Sequence, residues 1–160
     1  MHAPLLTMDE VAVEDIAFGV HCEEAVVHFV AESDEVVGCV AWLTNARIIN
    51  AIESVPRRSI VVTADVVHNR PHLGLRRIAT RQVGRARGRY RQLMHHKFLV
   101  RLTANGVPTH VLIGSYNFTR RSNSNIGESV IVIRSMACAR KFADEHRRAW
   151  RASRPIRYHG

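Results

Sequence analysis

Apolar and polar positions along the chain fall into a repeating order of strand-like and helix-like segments. Val11 to Gly19 alternates with period two, as a half-buried strand does, and Glu23 to Ala31 follows with apolar residues at helical spacing. Glu35 to Leu43 is an apolar run of strand length. Thr44 then stands as the cap of a helix through TNARIINAIESV, in which Ile48, Ile49 and Ile52 mark one face. Ser59 to Ala64, β-branched and preceded by Pro56, predicts a third strand, and the segment after it is expected to be helical from Pro71 to Val83. Met94 to Leu102 and Thr109 to Ile113 flank Ala104-Asn105-Gly106, which has the composition of a hairpin turn. Ser129 to Ile133 is a further strand, and a final amphipathic helix is expected from about Ala137 to Trp150.

Strands alternating with helices predict an α/β fold, a mixed, mostly parallel central sheet with helices on both faces. At 160 residues the chain is read as one domain, 1–160. Its 46% hydrophobic and 23% charged residues exclude a disordered or low-complexity chain. No apolar run approaches the roughly 20 residues that span a bilayer, and the acidic start lacks the basic-then-apolar order of a secretory signal. Cys22, Cys39 and Cys138 form no C-x-x-C pair, so neither a disulfide framework nor a zinc site is indicated. The expectation is a cytoplasmic protein with no stable membrane association.

Charge adds a partner to this picture. Residues 1–50 hold nine acids and one base, whereas 22 of the 23 basic residues, nearly all arginine, lie after position 50. The planar fork of arginine suits bidentate phosphate binding, so a polyanion is the natural partner, and nucleic acid, DNA or RNA, is the obvious one. The run Arg76, Arg77, Arg81, Arg85, Arg87, Arg89 and Arg91 repels itself unless something neutralises it. Arg85, Arg87 and Arg89 at its centre are candidate substrate-binding residues; a solvated helix face is the plain alternative.

Candidate chemistry begins at Met94-His95-His96-Lys97-Phe98. Side chains repeat every two residues in a strand, which puts His95 and Lys97 on one face and turns His96 to the other. Downstream, Gly114-Ser115-Tyr116-Asn117-Phe118-Thr119 makes a small-residue turn after an apolar strand, and Glu128 begins the next strand at the same edge. A nucleophile, a cation, an amide and a carboxylate converge there. His21, His28, His68, His72 and His110 show no metal-ligand spacing, and there is no H-E-x-x-H motif, so no metal or cofactor is implied.

These residues resemble the pattern of the phospholipase D superfamily: His-x-Lys, an Asp five residues after the lysine, Gly-(Gly/Ser)-x-Asn-x-(Ser/Thr), then a glutamate. His95, Lys97, Gly114, Ser115, Asn117, Thr119 and Glu128 occupy those places, and Cys39 to Ile52 resembles the strand, threonine and helix carried upstream. The aspartate position falls on Leu102, and no Asp occurs between Asp65 and Asp144. The resemblance implies a metal-independent phosphodiesterase in which a neutral His95 attacks phosphorus, forming a phosphohistidine. Lys97 and Asn117 would stabilise the developing charge, Ser115 and Thr119 would add contacts, and Glu128 would orient the His95 ring. Tyr116, inside the motif, is either a pocket wall or a platform that stacks on a base. With a single His-x-Lys motif, the chain resembles the small bacterial nucleases of the family, which implies a homodimer whose second His95 is the general acid. DNA or RNA cleavage is the expected function. A phospholipid hydrolase of the cardiolipin type, or a nucleic-acid-binding module that has lost catalysis through Leu102, are the alternatives.

Overall fold

The computed structural model describes residues 10–64, 69, 72, 79–83 and 93–156. Eight strands form one sheet in the order β1-β7-β6-β5-β2-β3-β4-β8. In chain order these are β1 (Ala12–Phe18), β2 (Glu35–Val40), β3 (Arg57–Thr63), β4 (Ala79–Val83), β5 (Lys97–Leu102), β6 (Pro108–Gly114), β7 (Ser129–Arg134) and β8 (Arg154–Pro155). The mixed α/β architecture matches the expectation, but its balance of directions differs. Only β2 with β3 and β3 with β4 pair in parallel, and the other pairings are antiparallel. For β5 and β6 the reason is local: the short turn 103–107 joins them as a hairpin, which needs no crossover. Gly106, at φ +77°, makes the β5–β6 turn and donates its N–H to Thr103 O.

Two cores lie on opposite sides of this sheet. On one side α1 (His21–Ala31) and α2 (Ala46–Glu53) bury Val26, Phe29, Ile48, Ile49 and Ile52 against Val36, Ile60, Leu99 and Leu112. On the other side α3 (Met136–Ala152) lays Ala139, Ala143 and Ala149 over Val37, Val61, Phe98, Val100 and Leu102. Each large side chain buried this way contributes about 1.5–3 kcal/mol. The strict alternation of β5, with Leu99 facing one core and Phe98 and Val100 the other, explains why the strand reads as a continuous apolar run.

Two expectations need correction. The cap of α2 is Asn45 rather than Thr44, because the Asn45 side chain accepts from Arg47 N at 2.9 Å and from Ile48 N at 3.3 Å. The helix expected to reach Val83 is replaced at its end by β4, whose Ala79 to Val83 pairs with Ser59 to Thr63. An open parallel edge on β3 outweighs the modest helix propensity of Ala, Arg and Gln. Residues 71 and 73–78 of that expected helix lie outside the described residues.

Candidate active site

The starts of β5 and β7 and the ends of β1, β2 and β6 meet at one edge of the sheet. Register brings Val40 opposite Lys97, Phe98 opposite Ile113, Gly114 opposite Val130 and Phe18 opposite Ser129. The segment from Ala41 to Asn45 stitches this edge together. Ala41 N donates to His96 O, Phe118 N donates to Trp42 O, and Thr44 N and Asn45 N both donate to Phe118 O. The His-x-Lys entry to β5 and the turn after β6 are therefore braced by one stretch of backbone.

His95 and Lys97 share a space, as the period of two requires. Lys97 Nζ lies 3.2 Å from His95 Nδ1 and 3.4 Å from Nε2, and donates to His95 O at 3.1 Å. The Trp42 ring meets His95 edge-on, with centroids 5.7 Å apart. Partial burial, and then the Lys97 charge, lower the His95 pKa below its ordinary value, which favours the neutral imidazole. Lys97 is itself buried, with a pKa lowered by desolvation and partly restored by the Glu128 carboxylate. His96 turns to the other side of the sheet, where Nε2 lies 2.9 Å from Glu145 Oε1 on α3 and its ring packs edge-on against Phe98.

The turn after β6 places its residues unequally. Asn117 has a buried Oδ1 with no hydrogen-bond partner, a polar group of the kind that a bound ligand satisfies. Ser115 is exposed and donates to Glu128 Oε2 at 2.6 Å, while Asn125 Nδ2 donates to Glu128 Oε1 at 2.9 Å. Both Glu128 oxygens are thus held by Ser115 and Asn125, not by the His95 ring of the same chain. Tyr116 is fully buried and donates its hydroxyl to Asn123 Oδ1 at 2.6 Å, so it is no platform for a base. Burial is the main reason its phenol pKa is raised. Thr119 is a local brace, since its Oγ1 accepts from Ser122 N and lies 2.8 Å from Ser122 Oγ.

Of the arginine run, Arg76, Arg77, Arg85, Arg87, Arg89 and Arg91 lie outside the described residues. Arg81 is described and serves the fold: its guanidinium bonds Ser153 and sits 5.2 Å over the Trp150 ring. Leu102, at the aspartate position, lies at the far end of β5 from Lys97 and packs in the core under α3. Five residues of strand put it roughly 17 Å along the chain from Lys97. Sequence reading missed Arg120, Arg121 and Ile126, exposed beside the turn; their signal was position alone, between Asn117 and Glu128. Among the described residues no group of three or more His, Cys, Asp or Glu could hold a metal ion.

Comparison with known proteins agrees with this arrangement. A family model described as cardiolipin synthase, PLD-like domain, matches residues 30–150. NucT from Helicobacter pylori superposes with a TM-score of 0.72 at 14% identity, covering 91% of this chain and 99% of that one. The phospholipase D family member Nuc from Salmonella typhimurium gives 0.68 at 16% identity, covering 93% and 100%. TrmBL2, an archaeal chromatin protein with a novel mode of DNA binding, gives 0.60 at 10% identity, covering 93% of this chain and 55% of that one. Among curated proteins no sequence matches. The fold, the His-x-Lys pair beside the Gly-Ser-x-Asn turn and the family match over residues 30–150 together make the chain a member of the phospholipase D-like family.

Proposed function

We propose that the protein is a metal-independent nuclease that cuts DNA or RNA through a phosphohistidine on His95. The observation that carries this reading is the His95–Lys97 pair, a neutral imidazole held at 3.2 Å from a buried ammonium, with the Asn117 turn braced by the same backbone stretch. A His95 ring nitrogen forms the bond to phosphorus, and the bond to the leaving oxygen breaks. Lys97 and the Nδ2 group of Asn117 donate to the non-bridging oxygens, and the leaving oxygen takes a proton from a second histidine. Water then attacks the phosphohistidine, with that second histidine, now neutral, accepting its proton, and the bond from phosphorus to the His95 nitrogen breaks to return the free imidazole. The Leu102 departure bears on the far end of β5 and not on the reacting groups, which favours an active protein over a binding-only one.

The second histidine is read as the His95 of another copy. An apolar sheet face supports this. Val13, Ile16 and Phe18 of the edge strand β1 share the α3 side of the sheet with Ile131 and Ile133, and they are 54% to 65% exposed because α3 packs over β6, β5 and β2 instead. The face ends at the site, where Gly19 N donates to Glu128 O at 2.9 Å. A monomer leaving such a face in water is unusual, and a twofold partner would cover it.

Nucleic acid is preferred to lipid on charge, with 22 of 23 basic residues after position 50. The DNA binding of the structural neighbour TrmBL2 points the same way. Against a lipid surface, Trp150 on α3 packs inward on the second core rather than outward. Three free cysteines suit a reducing cytoplasm. Incubation with plasmid, single-stranded DNA, RNA and cardiolipin in excess chelator tests the reading. Cleavage of a nucleic acid is expected, and turnover of cardiolipin alone, or turnover only with a divalent ion, would overturn it.

A further inference from the structure

The nine residues from Thr119 to Gly127 join two groups of the site and are fixed at both ends by it. Thr119 N donates to Asn117 O at 2.8 Å, and Asn125 Nδ2 donates to Glu128 Oε1 at 2.9 Å. The middle is anchored as firmly: Asn123 accepts from the buried Tyr116 hydroxyl and donates to Glu23 Oε2 at 2.6 Å, and Asn45 Nδ2 donates to the same oxygen. These bonds, Asn123 first, hold the Glu23 carboxyl below its usual pKa, so it stays ionised. Such a loop is a preformed surface rather than a slack connection.

What sets this surface apart from other exposed cations such as Arg140, Lys141, Arg151 and Arg154 is its place between Asn117 and Glu128. The side chains of Arg120 and Arg121 are exposed and form no ion pair or hydrogen bond with another described residue, whereas Arg47, Arg57, Arg101, Arg134, Arg147 and Arg148 each pair with a carboxylate. Between these arginines and Glu128, Ile126 is 103% exposed, with no apolar cover among the described residues. Two unpaired guanidinium groups and a bare aliphatic side chain, held rigidly within a few residues of Asn117, match a phosphate backbone with its bases and sugars attached.

We infer that this loop is a nucleic-acid-binding rim, in which Arg120 and Arg121 hold phosphates flanking the scissile one and Ile126 packs against a base or sugar. The inference rests on the nuclease reading and adds to it the residues that track the polymer. Its test uses the full-length His95→Ala chain, which binds without cutting, and a fluorescent single-stranded oligonucleotide followed by anisotropy across a salt series. Arg120→Gln with Arg121→Gln should weaken binding roughly tenfold and lower the slope of log affinity against log salt by about 1.4, since each phosphate contact on a single strand contributes about 0.7. Arg120→Lys with Arg121→Lys should restore most of the slope. Ile126→Ser should weaken binding about threefold with the slope unchanged. Arg147→Gln with Arg148→Gln, on the outer face of α3, should behave like the parent. If the parent binds and the Arg120 and Arg121 double variant keeps its affinity and slope, or if the α3 variant loses as much, the rim is wrong while the nuclease reading stands. A parent that binds no nucleic acid would overturn both.

Discussion

Gly114 offers a quantitative test of how the fold builds the site. A Cβ at this position would lie 1.9 Å from Ser129 O and 2.8 Å from Val130 Cα, so Gly114→Ala forces β6 and β7 apart by more than about 1 Å. Overpacking of this kind costs about 1–3 kcal/mol. The bonds from Ser115 N to Ser129 O at 3.0 Å and from Ser129 N to Ser115 Oγ at 3.1 Å are lost or stretched, at about 0.5–1.5 kcal/mol each. Together the loss is roughly 2–6 kcal/mol, a fall in Tm on the order of 10 °C for a chain of this size. Because Ser115 and Asn117 move with the strand end, turnover should drop on the order of a hundredfold even well below Tm. Gly106→Ala is the contrast: its φ of +77° makes the substitution strained, but no atom lies within 4 Å and the turn is at the opposite edge, so stability falls while turnover at low temperature persists. Thermal unfolding by circular dichroism and a cleavage assay read both effects. A Gly114→Ala protein with parental Tm and activity would refute the claim that close approach to β7 sets this glycine.

Acid stability should be governed largely by His146, which burial holds at a pKa of about 4 beside Ser59. The unfolded chain binds the proton at about 6.5 and the folded chain only near 4, so stability is lost as pH falls through that window, on the order of 3 kcal/mol in total; His146→Leu should flatten this limb in denaturant titrations, and an unchanged limb would contradict it. His95→Ala should abolish turnover with Tm preserved, whereas His96→Ala, which removes the contact to Glu145, should cost about 1 kcal/mol of stability and leave most turnover; equal loss of activity in both would reverse the facing of the two histidines. In exchanging mixtures, excess His95→Ala chain should suppress wild-type activity well beyond dilution, because each mixed dimer lacks one histidine of its composite site; simple dilution would rule the shared site out.

Much of this was legible in the sequence because period and composition act locally. The alternation of Val11 to Gly19 and the apolar runs of β2, β3 and β5 required no knowledge of neighbours, and the His-x-Lys spacing fixed which side chains share a face. Most of what escaped depended on contacts distant in sequence. β4 is a strand only because β3 has an open edge to receive it, and Asn45, one residue after Thr44, caps α2 because its side chain reaches Arg47 N and Ile48 N. Tyr116 looked available to a base until Asn123 and Glu23, which lies 93 residues before it in the chain, drew its hydroxyl inward. Glu128 fits its motif position, yet its oxygens are taken by Ser115 and Asn125, partners that spacing alone does not reveal. Arg120, Arg121 and Ile126 carry no motif at all, and only their exposure beside an anchored turn singles them out.

The covalent step on His95 is the centre of the account, and one measurement addresses it directly. The protein is mixed with a labelled phosphodiester in excess chelator, quenched in alkaline denaturant that preserves phosphohistidine, digested and analysed by mass spectrometry. The account predicts a phosphoryl adduct on the peptide containing His95, forming no more slowly than steady-state turnover and absent from His95→Ala. An adduct on another residue, or turnover in chelator that survives His95→Ala, would contradict it.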